Sequence, residues 1–511
     1  MSTDSLQLKK LWPLPIFLGV GFFAAWLASL LASRLGTGKG FLAVGTLIVA
    51  LPMCLLGAVA LRRGIRSLHG LLQNMAWWHW LWILAWTSGF VLRERDAHAI
   101  KDSPTDAAAT YRIILVVCVG LVLLLRLGLR RTLWLRSLFR GLVAGVAVYA
   151  VFSVLTTLWS VYPALTLYKS LEYLIDVALL AAILVVVRST EDYKQFFDWT
   201  WTLYAILLAT VWIGLIVAPQ LAWEHGFYTG ALGHRLVGVL PEQDYNRVGD
   251  IGAMLSLIAL SRLLSMAKRN VNRLGYIFVF LVSFAAVILS QTRSALAGFA
   301  FGALLLLLFS KRAGVPAFLV FAVIPIVVLS GAGAVVWTFL ARGQEHAQLA
   351  SLSGRMVWWV PAWHVFLLHP LGGLGAYAAG RFAVLAKLGY TNTSTLHSDY
   401  LEMLVGNGIL GPVPVVVSLV GCWYVLIRSV RRFAVESMER QLTLEAIAIL
   451  ALLSVRSVLM TILVAHPPLH FLVVLGWAEF LRRRARVLVP ASVPQPAFRA
   501  VASSWLDPAS T

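Results

Sequence analysis

Apolar runs of about 18–22 residues recur along the chain, and most polar connections between them are short. They predict membrane-spanning helices at about 11–33, 40–61, 74–92, 112–127, 141–159, 169–187, 198–218, 248–267, 274–291, 295–310, 315–340, 401–427, 444–464 and 467–481. A β-barrel would instead alternate over segments of roughly ten residues, and this chain does not. The expected fold class is therefore all-α, a polytopic transmembrane helical bundle of about 12–14 spans. One stretch breaks the pattern. From Ala341 to Tyr400, about sixty residues mix Arg, His, Trp and Gly, too polar to cross a bilayer and too aromatic for a plain linker. A long ordered insertion between spans is usually functional, so an active-site loop bearing amphipathic helices is expected here. The chain then divides into spans with short loops at 1–340, this loop at 341–400, further spans at 401–486 and a disordered tail at 487–511.

Composition agrees with the pattern. Hydrophobic residues make up 60% of the chain, more than a soluble core of that length would use. Cys54, Cys118 and Cys422 lie inside apolar runs with no metal or disulfide spacing, and read as small buried hydrophobes. The first run, Leu11 to Ser33, is too long for a signal-peptide core and is expected to remain as a span. A formal net charge of +20 would suit nucleic acid, but the cations cluster beside the spans. Cytoplasmic loops facing anionic lipid do this, so membrane lipids are the expected partner and nucleic acid is not.

Basic residues follow every second span, as at Arg62, Arg63 and Arg66, at Arg130, Arg131, Arg136 and Arg140, and at Arg428, Arg431 and Arg432. The positive-inside rule places those connections and both termini in the cytoplasm. The opposite, periplasmic face then receives residues 219–247, the turn Gln291-Thr292-Arg293-Ser294 and the 341–400 loop. These hold Arg235, Arg247, Arg293, Arg355 and His397. Arginine on that side runs against the topological bias and needs another reason to be there.

Arg293, at the outer end of two adjoining spans, either snorkels to lipid phosphate or meets an anionic ligand, and few acids stand near it in sequence. Arg355 precedes Trp358, Trp359, Ala362, Trp363 and Phe366, the apolar side of a helix that Ser353 would cap and Pro361 would kink or shorten. His397 is expected in the first turn of a helix capped by Thr395 or Ser394, on one face with Tyr400, Leu401 and Leu404. There it either satisfies a helix end or serves as a base near neutral pH. His346, His364 and His369 read as structural. Arg forks grip phosphate oxygens bidentately, so the arginines suggest a diphosphate. Departure of a diphosphate needs its charge stabilised and a base for the incoming hydroxyl, and no general acid. Glu242 and Asp244 form the nearest approach to a metal site, or else orient Arg247 or Arg235. No metal and no cofactor is expected. The run Trp77 to Trp82, with His79, suits an interfacial aromatic belt, and Gly141 with Gly145 suits a close helix contact.

The ordered set of motifs resembles the superfamily of O-antigen ligases and polysaccharide polymerases. It comprises Gln291-Thr292-Arg293-Ser294, Gly354-Arg355 with Trp358, His369-Pro370-Leu371-Gly372-Gly373 with Gly375, and His397 through Leu401 to Gly408 and Gly411. The resemblance covers roughly 230–415. The chain departs from the family at Ser398, where Asn is frequent, and at Gly406, where Glu is frequent; its nearest acid is Glu402. The resemblance implies a GT-C-like, metal-independent, inverting glycosyltransferase of the bacterial inner membrane, working at the periplasmic face. Its donor would be an undecaprenyl-diphosphate-linked glycan, and its acceptor a glycan or glycolipid such as lipid A-core or a growing polysaccharide. Arg293, Arg355 and His397 would be catalytic, and Arg235, Arg247, Trp358 and Tyr400 would bind substrate. A flippase for lipid-linked glycan is the other reading. It should carry charges within several spans, whereas the span interiors read as nearly uncharged.

Overall fold

The computed structural model describes residues 75–90, 106–129, 133–224, 233–265, 272–310 and 354–487, with isolated positions elsewhere between 57 and 351. The spans expected at 11–33, 40–61 (but for Gly57) and 315–340, most of 341–353 including Ser353, and the tail past 487 lie outside the described residues. Within them the protein is helical, as the apolar periodicity predicts. Besides a short helix at Leu133–Leu138, the helices are α1 (Trp77–Ser88), α2 (Ala107–Leu129), α3 (Leu142–Leu155), α4 (Pro163–Val186), α5 (Thr190–Val217), α6 (Tyr245–Ser265), α7 (Asn272–Ser290), α8 (Arg293–Phe309), α9 (Met356–Leu368), α10 (Asp399–Asn407), α11 (Pro412–Val430), α12 (Met438–Leu459) and α13 (Leu469–Val487). Among the described residues seven helices are long and apolar enough to cross a membrane, and α2, α5, α6, α7, α11 and α12 are among them. The remaining one runs from Leu142 to Trp159, α3 with the single 3-10 turn that follows it.

Exposure along each helix explains its place. On α2, Ile114, Val117, Leu121 and Leu124 stay exposed at helical spacing, the stripe a lipid-facing helix shows. On α12, Thr443 to Leu453 are buried all round, so this helix forms the centre, packed by α6, α8, α11 and α13. Helix starts follow local chemistry: Ser189 Oγ accepts the Asp192 amide at 3.0 Å while the Asp192 carboxylate accepts the Ser189 amide at 3.1 Å, closing a capping box on α5. Gly145 lets α3 reach the backbone of α11, because a Cβ there would sit 2.2 Å from the Pro414 carbonyl oxygen.

The sequence reading needs corrections, and Cys118, read as buried, is exposed. The span expected at 401–427 is two elements, since α10 ends at Asn407, a 3-10 turn covers Gly408–Leu410, and α11 starts at Pro412. Pro412 at the first position of α11 fits a helix start and not a continuing helix. The aromatic run is not a belt throughout: Trp78 and Trp82 are buried, His79 accepts the Ala76 amide at 2.8 Å, and Trp80 alone of these points outward. The helix interiors, finally, are far from uncharged. Asp250 pairs with Arg456, Arg262 with Asp198 at 2.7 Å and Glu445 at 2.9 Å, Lys169 with Glu172 at 2.6 Å, and Asp176 with His466 at 2.6 Å. Each charge is matched by a partner on another turn or helix, which is how a membrane interior tolerates them.

The connection from α9 to α10 packs back against α10 and the turn that follows it. The Leu374 and Gly375 amides donate to Val405 and Gly406 at 2.9 Å each, and Ile409 donates to Pro370 at 2.7 Å. Gly373, at φ 63°, comes so near that a Cβ would lie 2.4 Å from the Gly406 carbonyl carbon. The two glycine motifs seen in the sequence are thus the two sides of one backbone contact.

Candidate active site at the converging helix ends

Three connections meet where α6, α8, α9 and α10 begin and α12 ends. Residues 219–244 supply two small antiparallel pairs: β1 (Trp223–Glu224) with β2 (Arg235–Leu236), and β3 (Gly238–Val239) with β4 (Glu242–Gln243). Arg235 is buried on β2, opposite Glu224, with its guanidinium 4.4 Å over the Tyr245 ring. Asp244 accepts the Arg247 amide at 2.6 Å and so caps the start of α6. Glu242 is exposed. Among the described residues no three His, Cys, Asp or Glu side chains come together as a metal site would need.

The 291–294 turn is tied to these strands. Gln291, in the left-handed region at φ 52°, donates through Nε2 to the His234 carbonyl at 2.6 Å. Thr292 Oγ1 donates to the Tyr245 carbonyl at 2.9 Å. Arg293 therefore opens α8 within the electrostatic reach of Arg235. Its neighbour Ser294 accepts a hydrogen bond from Arg456, which is fully buried and bound to Asp250, Nη2 to Oδ2 2.7 Å.

Arg355 is the N-cap of α9, with no side-chain cap, and its carbonyl accepts the Trp358 and Trp359 amides at 2.9 Å each. The helix continues through Pro361. Trp358 turns inward to the His397 ring, centroids 5.6 Å apart and 34° inclined, and Trp359 Nε1 donates to the Leu396 carbonyl at 2.9 Å. Burial, then the positive charge of Arg456, pushes the Arg355 guanidinium down to about 10, against the attraction of Tyr245 and with a further push from Arg293.

His397 does not sit in the first turn of α10. The cap is Ser398, whose Oγ accepts the Leu401 amide, and neither Thr395 nor Ser394 takes that role. His397 precedes the cap at φ 53°, with Nδ1 3.2 Å from the Met460 sulfur. Burial, then Arg355 and Arg456, pulls its imidazole down to about 4, with Asp244 opposing. The ring is neutral at neutral pH. A thioether accepts only weakly, so the tautomer this contact fits carries the proton on Nδ1 and the lone pair on Nε2.

Arg355, Arg293, Trp358 and His397 are thus gathered, with Arg235 one step behind Arg293. Arg247 lies to the side, within electrostatic reach of Tyr204, Asp250 and His470. Tyr400 faces α12, where its hydroxyl accepts from Ser457 at 3.3 Å. Sequence reasoning missed Arg456, Asp250 and Met460. A signal for the first two existed: an arginine inside a span needs an acid at similar depth on another span. Among the described residues the arginines gathered here outnumber the acids beside them, so the place can receive an anion, with a neutral imidazole beside it.

Residues 278–416 match the model of a protein family described as O-antigen ligase. The matched stretch contains Arg293, Arg355, Trp358 and His397, and stops short of Arg235, Arg247 and Arg456. No curated protein matches the chain.

Proposed function

We propose that this multi-pass membrane protein, whose residues 278–416 match the O-antigen ligase family model, transfers a glycan from undecaprenyl diphosphate to an acceptor sugar at the periplasmic face of the bacterial inner membrane. The observation that carries this reading is the juxtaposition of Arg355 with Arg293, Arg456 and a neutral His397. Arg355 and Arg293 grip the diphosphate, which Lys would hold only as a point charge. His397 Nε2 takes the proton of the acceptor hydroxyl. The hydroxyl oxygen forms a bond to the anomeric carbon as the bond from that carbon to the phosphate oxygen breaks. The electron pair leaves with the diphosphate, whose growing charge the arginines stabilise. Attack opposite the leaving group inverts the anomeric centre. Trp358 offers an aromatic wall beside the base, and Arg235 and Arg247 extend the positive surface. No metal takes part in these steps, since arginine carries the leaving-group charge.

Ligase and polymerase differ only in acceptor, lipid A-core in one and another lipid-linked glycan in the other, and share this chemistry. A flippase would need charges facing a passage, whereas the buried charges of α4, α6 and α12 are bound to one another. The test is incubation of purified protein with a lipid diphosphate-linked glycan and each acceptor, followed by gel. A product on either acceptor supports transfer; movement of the lipid-linked glycan across vesicles with no product would replace it with transport.

A further inference from the structure

Between α12 and α13 the chain crosses the bundle as an irregular strap, Met460 to Val464, with Ile462, Leu463 and Val464 buried. Buried backbone groups must find partners, and every one on 462–464 finds a side chain. The carboxylate of Asp399 accepts all three amides: Ile462 at 3.0 Å and Leu463 at 3.0 Å on Oδ2, Val464 at 3.3 Å on Oδ1. On the other edge the Ile462 carbonyl accepts from His470 Nε2 at 3.2 Å, Leu463 from the Tyr173 hydroxyl at 3.1 Å and Val464 from the Tyr377 hydroxyl at 3.0 Å. Those groups come from α10, α13, α4 and the connection after α9. A segment with no ladder of its own is therefore held from both edges.

The first residue of the strap is Met460, whose sulfur touches His397. Asp399, which is fully buried, lies two residues after His397 in sequence. The left-handed backbone of His397 is a conformation that a non-glycine residue keeps only where its surroundings hold it. We propose that Asp399 is a positioning residue: by anchoring the strap it fixes Met460 on one side of the His397 ring while Trp358 holds the other. Asp399 reaches no substrate itself, because both its oxygens are taken by backbone amides. The inference rests on the reading of His397 as the base.

Asp399→Asn keeps the shape but turns an amide NH₂ toward backbone N–H groups that need an acceptor. Transfer by this variant should fall by about 10–100-fold, the range known for losing the group that orients a metal-bound histidine, with donor affinity unchanged. In a His397→Ala background the same substitution should cost nothing further, because the two residues act as one unit. The paired change Tyr173→Phe with Tyr377→Phe loosens the far edge without altering charge, and should give the same split if Asp399→Asn does not fold. Modification of His397 by diethyl pyrocarbonate, read by mass spectrometry of its peptide, should be faster in the Asp399 and tyrosine variants than in the parent. An equal loss of transfer with and without His397, or modification at the parent's rate, would overturn the inference. If the parent protein transfers nothing, the proposed activity fails, while the modification rates still decide whether the strap holds the ring.

Discussion

Arg456 and Asp250 meet inside the bundle, Nη2 to Oδ2 2.7 Å, although they stand on α12 and α6 and are 206 residues apart in sequence. The same guanidinium holds Ser294, beside Arg293. One ion pair thus joins the central helix to the turn that presents an arginine to the site. Removing one partner strands a buried charge, which typically costs 3–5 kcal/mol. Asp250→Ala should accordingly lower the unfolding temperature in detergent markedly. The double change Asp250→Leu with Arg456→Met should recover most of that loss, yet leave transfer impaired because Arg293 is no longer braced. Full recovery of both would assign the pair a purely structural part.

Arginine geometry is open to a second test. Arg293→Lys and Arg355→Lys keep a charge but lose the planar fork. Loss of one charge-assisted contact in a partly dehydrated site corresponds to roughly 2–4 kcal/mol, or about 10²–10³ in rate. Donor affinity and transfer should both decline in these variants. Normal behaviour of either lysine variant would remove that residue from the diphosphate grip.

The histidine carries a pH signature. His397 titrates at about 4 in the folded protein, against an unperturbed histidine near 6.5. Reaction with diethyl pyrocarbonate, which needs the neutral ring, should therefore persist down to about pH 4. Since Arg355 holds the value down, Arg355→Gln should move the midpoint upward. For stability the sign is fixed by the lowered folded value. The contribution is fully present above the unfolded value near 6.5, declines as pH falls toward about 4, and stays lost below. A midpoint near 6.5 in the parent, unmoved by the Arg355 change, would mean that burial does not govern this ring.

Metal removal separates arginine chemistry from cation chemistry. Transfer should survive EDTA. Loss restored by added Mg²⁺ or Mn²⁺ would point to Glu242 and Asp244 as ligands after all.

Much of this was legible in the sequence, for reasons that differ from element to element. Apolar runs located α6 and α7 within a few residues and found α2, α5 and α12 with their more polar first turns left out, because length and hydropathy alone mark a span. The break between α10 and α11 was hidden by continuous hydropathy across 401–427, although Gly408, Gly411 and Pro412 signal it. The sequence did point to the 291–294 turn, Arg355 and His397 as a set, since each lies on the same side by charge alternation. It did not show Ser398 as the cap, because that choice depends on the strap that binds Asp399 next to it. Nor did it show the Asp250–Arg456 pair, which exists only once two distant helices pack.

The central claim is that His397 takes a proton while the arginines hold the donor. The direct measurement is donor affinity and transfer rate on the same purified His397→Ala protein. Turnover should fall by about 10²–10⁴, the range for loss of a general base, while the affinity for undecaprenyl-diphosphate-linked glycan stays that of the parent. Near-normal transfer by His397→Ala would contradict the claim, leaving a diphosphate-binding site without its base.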